Sequence, residues 1–143
     1  MIYPRKRMTE ALKEGAYPGT SFHCSDSGWI TQELYIEWFH FFLKSIPPTR
    51  PVLLIEDGHS SHVSIEVIEL ACQNDIHILC LPSHTTHLLQ PLDVGIFKSL
   101  KSNYNKECKK YMAQHPGRVI TTEAIASLVG RAWPLSLTPI NIM

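Results

Sequence analysis

Pro51-Val-Leu-Leu-Ile-Glu-Asp-Gly-His-Ser-Ser-His62 is the stretch from which the fold can be read. Val52 to Ile55 is a short, continuous apolar run with β-branched residues, bounded by Pro51 and Gly58. Such runs suit a strand buried on both faces, as in a sheet flanked by helices. Adjacent strand residues point to opposite faces, so only one of Glu56 and Asp57 can face a site at the strand's carboxyl end. Ile76 to Leu81, stopped by Pro82, predicts a second strand of the same kind. Between them Ser64 predicts the cap of a helix to about Asn74, with Ile65, Ile68, Ala71 and Cys72 facing inward.

Working outward, Thr31 predicts an N-cap, with Glu33 favourable in the first turn. Ile30, Leu34, Trp38, Phe41 and Phe42 recur at helical spacing, which predicts a helix over Gln32 to Ser45 ended by Pro47 and Pro48. Nearer the amino terminus the pattern gives a short helical piece around Thr9 to Lys13 and a strand over Thr20 to Cys24. Trp29, Trp38 and the phenylalanines read as core. Downstream, Ser83 to Pro91 reads as a polar loop. A helix is expected from Asp93 to about Gln114, with Phe97, Leu100, Tyr104 and Tyr111 as its apolar stripe. Pro116 and Gly117 break it, and Thr121 or Thr122 caps a last helix to about Trp133. Alternation of helix and strand argues an α/β fold with a mixed, partly parallel sheet, because parallel neighbours need helical crossovers. In such sheets sites lie beyond the carboxyl ends of the strands, and Asp57 falls there.

The 143 residues suffice for one domain with a core of its own. Hydrophobic residues at 44% and charged residues at 18% exclude a disordered chain. No apolar run reaches the length of a bilayer span, so no membrane partner is expected. Met1-Ile-Tyr-Pro-Arg-Lys-Arg-Met8 lacks the apolar core of a secretory signal. Thirteen basic residues balance thirteen acidic ones. DNA-binding modules usually carry a basic excess, so any nucleic-acid footprint is expected to be local or to lie on a segment outside this sequence. Cys24, Cys72, Cys80 and Cys108 are scattered without a Cys-x-x-Cys pair, which suits a reducing intracellular compartment. Cys72 and Cys80 read as small hydrophobes on apolar faces.

The residues that carry chemistry are few. Asp57 at a strand end and Asp93 at a helix start can approach one hard cation, which prefers few carboxylates together with phosphate oxygens. The structural alternatives are a turn acid for Asp57 and a helix-dipole acid for Asp93. His59/His62 and His84/His87 form two His-x-x-His pairs on neighbouring loops. Four imidazoles with Cys80 nearby could ligate zinc; alternatively, one or two of them sit at the edge of a carboxylate site as proton shuttles. Arg5, Lys6 and Arg7 are too few to establish a nuclear address or a phosphate patch. Lys98, Lys101, Lys106, Lys109 and Lys110 line one side of the long helix, as a solvated face or as a track for a nucleic-acid backbone.

In these motifs the chain resembles the DDE superfamily endonuclease domain of pogo/Tigger/jerky-type transposases and the host proteins derived from them. The resemblance rests on Pro4-Arg-Lys-Arg-Met8, Ser27-Gly-Trp29, Leu53-Leu-Ile-Glu-Asp-Gly-His-Ser-Ser-His62, Leu81-Pro-Ser-His-Thr-Thr-His-Leu-Leu-Gln-Pro-Leu-Asp-Val-Gly95 and Phe97-Lys-Ser-Leu-Lys101. It implies a ribonuclease H-like fold, with Asp57 and Asp93 as the second and third of three acidic metal ligands for Mg2+ or Mn2+. His59, His62, His84, His87 and Gln90 match motif positions around that site, and Lys98 and Lys101 are candidate DNA contacts. The implied chemistry is cleavage and strand transfer of DNA in the nucleus, without a small-molecule substrate and with possible homo-oligomers. The family's first acid and its strand lie upstream of the segment matching Pro4 to Met8. Residues 1–133 are thus expected to form a partial, incomplete endonuclease domain, followed by a divergent tail over 134–143. With two of three acids the expectation is a chain inactive by itself, its open strand edges leaving it marginally stable. The alternatives are a non-catalytic remnant that binds nucleic acid or protein, and a zinc-dependent hydrolase.

Overall fold

The computed structural model describes residues 1–59, 62, 64–82 and 85–138. Two small parallel sheets organise it. Strand β1 (Ile2–Pro4) pairs with β2 (His23–Ser25), and a 3-10 turn (Glu10–Lys13) lies between them. Helix α1 (Gln32–Ser45) leads to β3 (Val52–Asp57), α2 (Ile65–Gln73) and β4 (Ile76–Leu81). After α3 (Thr86–Leu89) a π-helical turn (Leu92–Phe97) runs into α4 (Lys98–Gln114), and α5 (Ala124–Ser136) follows. The fold is α/β as expected, but in place of one mixed sheet the described strands form two separate parallel pairs.

The β3–α2–β4 unit forms as its sequence directs. Strands β3 and β4 pair in parallel from Val52↔Ile76 to Asp57↔Leu81, the arrangement a helical crossover permits. The Thr31 hydroxyl accepts from Leu34 N–H at 3.3 Å and caps α1. The Ser64 hydroxyl accepts from Val67 N–H at 3.2 Å and caps α2; each cap is worth about 1 kcal/mol. Asp75, with φ 53, turns the chain from α2 into β4, and its carbonyl accepts from Val52 N–H at 3.1 Å. Alternation then sorts the strand side chains. Val52, Leu54, Ile76 and Ile78 pack against the cluster of Tyr35, Phe39, Val67 and Ala71. The opposite face corrects the expectation of strands buried on both sides: Leu53 and Leu79 are exposed there, and Asp57 shares that face.

A second apolar region joins the two ends of the chain. Leu12 and Leu128 are fully buried, and α5 packs on the 3-10 turn and along α4. The Tyr3 hydroxyl donates to the Leu12 carbonyl at 3.0 Å, and Asn103 Nδ2 donates to the Leu135 carbonyl at 3.2 Å. Gly130 lies so close to the Gly15–Tyr17 segment that a Cβ there would meet the Gly15 carbonyl oxygen at 2.5 Å.

Several expectations need correction. Helix α2 buries Ala71 as expected and Val67 beside it, while Ile65, Ile68 and Cys72 face solvent instead of the core. Cys80 is also exposed. Helix α1 buries Tyr35 and Phe39, with Trp38 and Phe42 half-covered and Phe41 exposed. Trp29 is 77% exposed. The reason is local: the Ser25 hydroxyl donates to the Trp29 carbonyl, and Trp29 N–H donates to the Ser27 hydroxyl, in a turn that holds the indole outside. The polar loop contains the helical turn α3, and Leu92–Phe97 is π-helical rather than α-helical. Strand β2 sits at His23–Ser25 and β1 was not anticipated. Helix α5 begins after Glu123, without a side-chain cap, and continues through Pro134 to Ser136. On α4 no residue is fully buried, so Leu100, Tyr104 and Tyr111 form only a half-covered stripe.

Candidate active site

Strand β3 ends in two carboxylates, and the pleat separates them. Glu56 points to the helix-facing side and is 7% exposed. It accepts a short hydrogen bond from the Tyr35 hydroxyl on α1 and a long one from the Cys80 thiol at 3.8 Å. Burial, then the bond to Glu56 and its charge, push the Tyr35 phenol far above the ordinary tyrosine range. Burial first, then the Glu56 charge, raises the Cys80 thiol as well. Both neighbours therefore remain protonated donors at neutral pH.

Asp57 points the other way and is partly open to solvent. Its Oδ1 accepts from His59 N–H at 3.3 Å, closing a turn over Gly58, and lies 3.1 Å from His62 Nδ1. The same His62 nitrogen is 3.4 Å from the Asp57 carbonyl oxygen and 4.0 Å from Glu56 Oε2. The His62 ring stacks on Tyr35 at 4.5 Å and lies 5.6 Å from the His59 ring. Among the described residues both contacts of the Asp57 carboxylate fall on Oδ1.

The remaining predicted residues are placed separately. Asp93 lies in the π-helical turn before α4, and its N–H donates to the Gln90 carbonyl at 3.0 Å. No contact joins Asp93 to Asp57 among the described residues. His84 lies outside the described residues, and of His87 only the backbone, within α3, is described. Lys98 and Lys101 are exposed on the first turn of α4. Lys101 borders an apolar cleft of about 330 Å3 with Phe97, Leu100, Tyr104 and Val129. Among the described residues no three His, Cys, Asp or Glu side chains converge on one ion position; the His84 and His87 side chains of the zinc reading lie outside them. One carboxylate oxygen at a strand end does suit a hard cation, which commonly keeps several waters beside one or two carboxylates. Tyr35 was missed from the sequence. Its only signal was its place one helical turn before Phe39, on the face that meets β3.

Comparison with known proteins follows from this geometry. Over 123 residues the chain is 38% identical to a protein of Cochliobolus lunatus named MFS-type transporter clz9. That similarity takes in 82% of this chain but 13% of the relative, so the chain spans about an eighth of that protein's length. Among the described residues no helix is long and apolar enough to cross a membrane. No solved structure matches the chain. The family model described as DDE superfamily endonuclease matches residues 3–142, nearly all of the sequence, and the chain belongs to that family.

Proposed function

We propose that this chain is the nucleic-acid-binding DDE endonuclease domain of a pogo/Tigger/jerky-type transposase descendant, with Asp57 at its functional centre. Membership implies a ribonuclease H-like fold and DNA as the substrate, and a DNA substrate is the support for reading a nuclear protein. The observation that carries the reading is the position of Asp57. It stands at the carboxyl end of β3, partly open to solvent, with one carboxylate oxygen held by His59 N–H and His62.

Asp57, with Asp93 as second acid, would hold Mg2+ or Mn2+, and the ion would activate water or a DNA 3′-hydroxyl and stabilise the leaving oxygen. The chain's own residues bind and orient: His62 fixes the carboxylate, and Lys98 and Lys101 offer phosphate contacts. Glu56 does not supply a third acid, because it faces the helices and is bonded to Tyr35. We therefore read the chain alone as a DNA-binding domain that does not cleave.

The test is nicking of supercoiled plasmid with Mg2+ or Mn2+, alongside Asp57→Ala and Asp93→Ala. DNA retention without nicking is the expected result. Robust cleavage abolished by either substitution would overturn the inactive reading and leave the metal-ligand assignment standing.

A further inference from the structure

We propose that Tyr35 and Glu56 are positioning residues: together they hold His62 so that its ring N–H serves Asp57 rather than Glu56. The proposal rests on Asp57 being the functional acid.

The strand pattern makes Glu56 anomalous. Val52 and Leu54, on the same face of β3, pack into the cluster around Tyr35 and Phe39. An apolar side chain at position 56 would complete that face, whereas a buried carboxylate is unfavourable unless its oxygens are bonded. Both are bonded: one oxygen accepts from the Tyr35 hydroxyl and the other from the Cys80 thiol. Neither bond explains why a carboxylate is present instead of leucine.

The geometry around His62 supplies a reason. Tyr35 meets the cluster twice, with its hydroxyl on Glu56 and its ring face stacked on His62 at 24°. The stack leaves His62 Nδ1 facing three oxygens: Asp57 Oδ1 at 3.1 Å, the Asp57 carbonyl at 3.4 Å and Glu56 Oε2 at 4.0 Å. Three acceptors at one nitrogen place the ring proton there. Glu56 Oε2, the oxygen bonded to Tyr35, stands just beyond hydrogen-bond reach. The phenol satisfies Glu56 and keeps it from competing, so His62 donates to Asp57 Oδ1. With His59 N–H on the same oxygen, the carboxylate is fixed before any ligand arrives, and preorganised ligands are what a tight site requires.

One consequence separates this role from a merely structural bond. In Tyr35→Phe the ring stack survives, but Glu56 loses its donor and turns to His62. In the double variant Tyr35→Phe/Glu56→Leu the competitor is gone, and His62 returns to Asp57. The first readout is NMR on the full chain with 15N-histidine and 13C-labelled carboxylates, detecting correlation across the His62 hydrogen bond. The expected acceptor is Asp57 in the wild type, Glu56 in the single variant and Asp57 again in the double variant. A bond to Asp57 in all three, or to Glu56 in the wild type, would overturn the brace.

The second readout is Mn2+ affinity by electron paramagnetic resonance of the free ion. Outer-shell partners typically contribute tenfold or more to affinity, so about a tenfold loss is expected in Tyr35→Phe, recovered in the double variant. Unchanged affinity in Tyr35→Phe overturns the positioning role. Wild-type and Asp57→Asn chains that bind Mn2+ alike, or not at all, overturn the assignment of Asp57. The positioning role falls with it, while the NMR result still decides whether the brace exists.

Discussion

Replacing Gly130 by alanine should destabilise the protein, although a glycine in the middle of a helix is ordinarily improved by that change. Gly130 lies inside α5 (Ala124–Ser136) and has no left-handed φ. Propensity alone would therefore favour alanine by about 1 kcal/mol. Against this stands the contact geometry. An added Cβ would meet the Gly15 carbonyl oxygen at 2.5 Å, Tyr17 N at 2.9 Å and the Ala16 carbonyl carbon at 3.1 Å. All three are backbone atoms, so no side-chain rotation relieves the clash; the segment itself must move away from α5. Gly15 cannot easily follow, because it holds φ +69 and packs so closely on α5 that a Cβ added to it would lie 2.6 Å from Ser127 Cβ. Overpacking of this kind costs typically 1–3 kcal/mol in a core with some freedom, and backbone against backbone belongs at the upper end. Subtracting the propensity gain leaves a net loss of about 1–2 kcal/mol. For a chain of this length that lowers Tm by about 3–7 °C, from an unfolding entropy of about 2 cal/mol/K per residue. Thermal unfolding followed by far-ultraviolet circular dichroism measures it directly. A Tm equal to or above that of the wild type would mean that α5 and the Gly15–Tyr17 segment do not approach as described.

Three further outcomes follow from the site. The Tyr35 phenol, raised by burial and by its bond to Glu56, makes folding favour the protonated form. Its contribution is complete below the ordinary tyrosine range and lost as pH rises beyond about 10, by at most about 1.4 kcal/mol per pH unit; chemical denaturation from pH 8 to 11 should show this slope, reduced in Tyr35→Phe. The Cys80 thiol, raised by burial and then by the Glu56 charge, should alkylate at least about twofold faster in Glu56→Gln at pH 8, since the thiolate is the reacting species; equal rates by peptide mass spectrometry would show that the Glu56 charge does not reach it. Gly58→Ala places its Cβ 3.6 Å from the Leu81 carbonyl oxygen, an ordinary contact without left-handed strain, so stability should change by less than about 1 kcal/mol. A larger loss in urea titrations would contradict the described turn.

What could be read from the sequence was what the chain settles locally. Strand β3 was legible because Pro51 and Gly58 bound a run too short and too apolar for a surface helix. His59 and His62 were placed near Asp57 by their position just after β3, whereas their contacts with its Oδ1 were not legible. Helix α2 shows where this stops. In Ile65-Glu-Val-Ile-Glu-Leu-Ala-Cys-Gln73 the apolar residues support two stripes, one through Ile65, Ile68 and Cys72 and one through Val67, Leu70 and Ala71. Periodicity cannot choose between them. The choice is made by the surface α2 meets, where Tyr35 and Phe39 of α1 already stand, and that surface is a product of folding. Trp29 illustrates the converse: its size predicts burial, but hydrogen bonds from Ser25 and to Ser27 fix the turn that exposes it.

Glu56 shows why a site is harder to read than a strand. Alternation assigned it correctly to the face opposite Asp57, and chemistry argued against burying it there. The conflict disappears only with Tyr35, twenty-one positions away on another element, whose hydroxyl makes the burial tolerable. A carboxylate that breaks an apolar pattern is therefore a pointer to an unseen donor. Here the donor's ring also carries His62, so the same contact that permits Glu56 inside the fold governs which acid the histidine serves. Among the described residues Asp93 shows no such local partner. Its N–H donates to the Gln90 carbonyl within its own turn, so in the proposed reading only a bound ion would link it to Asp57. Two carboxylates that share an ion only when the ion is present need no contact beforehand. Residues that preorganise one of them must be in contact already, which is why Tyr35 and Glu56, rather than Asp93, are visible beside Asp57.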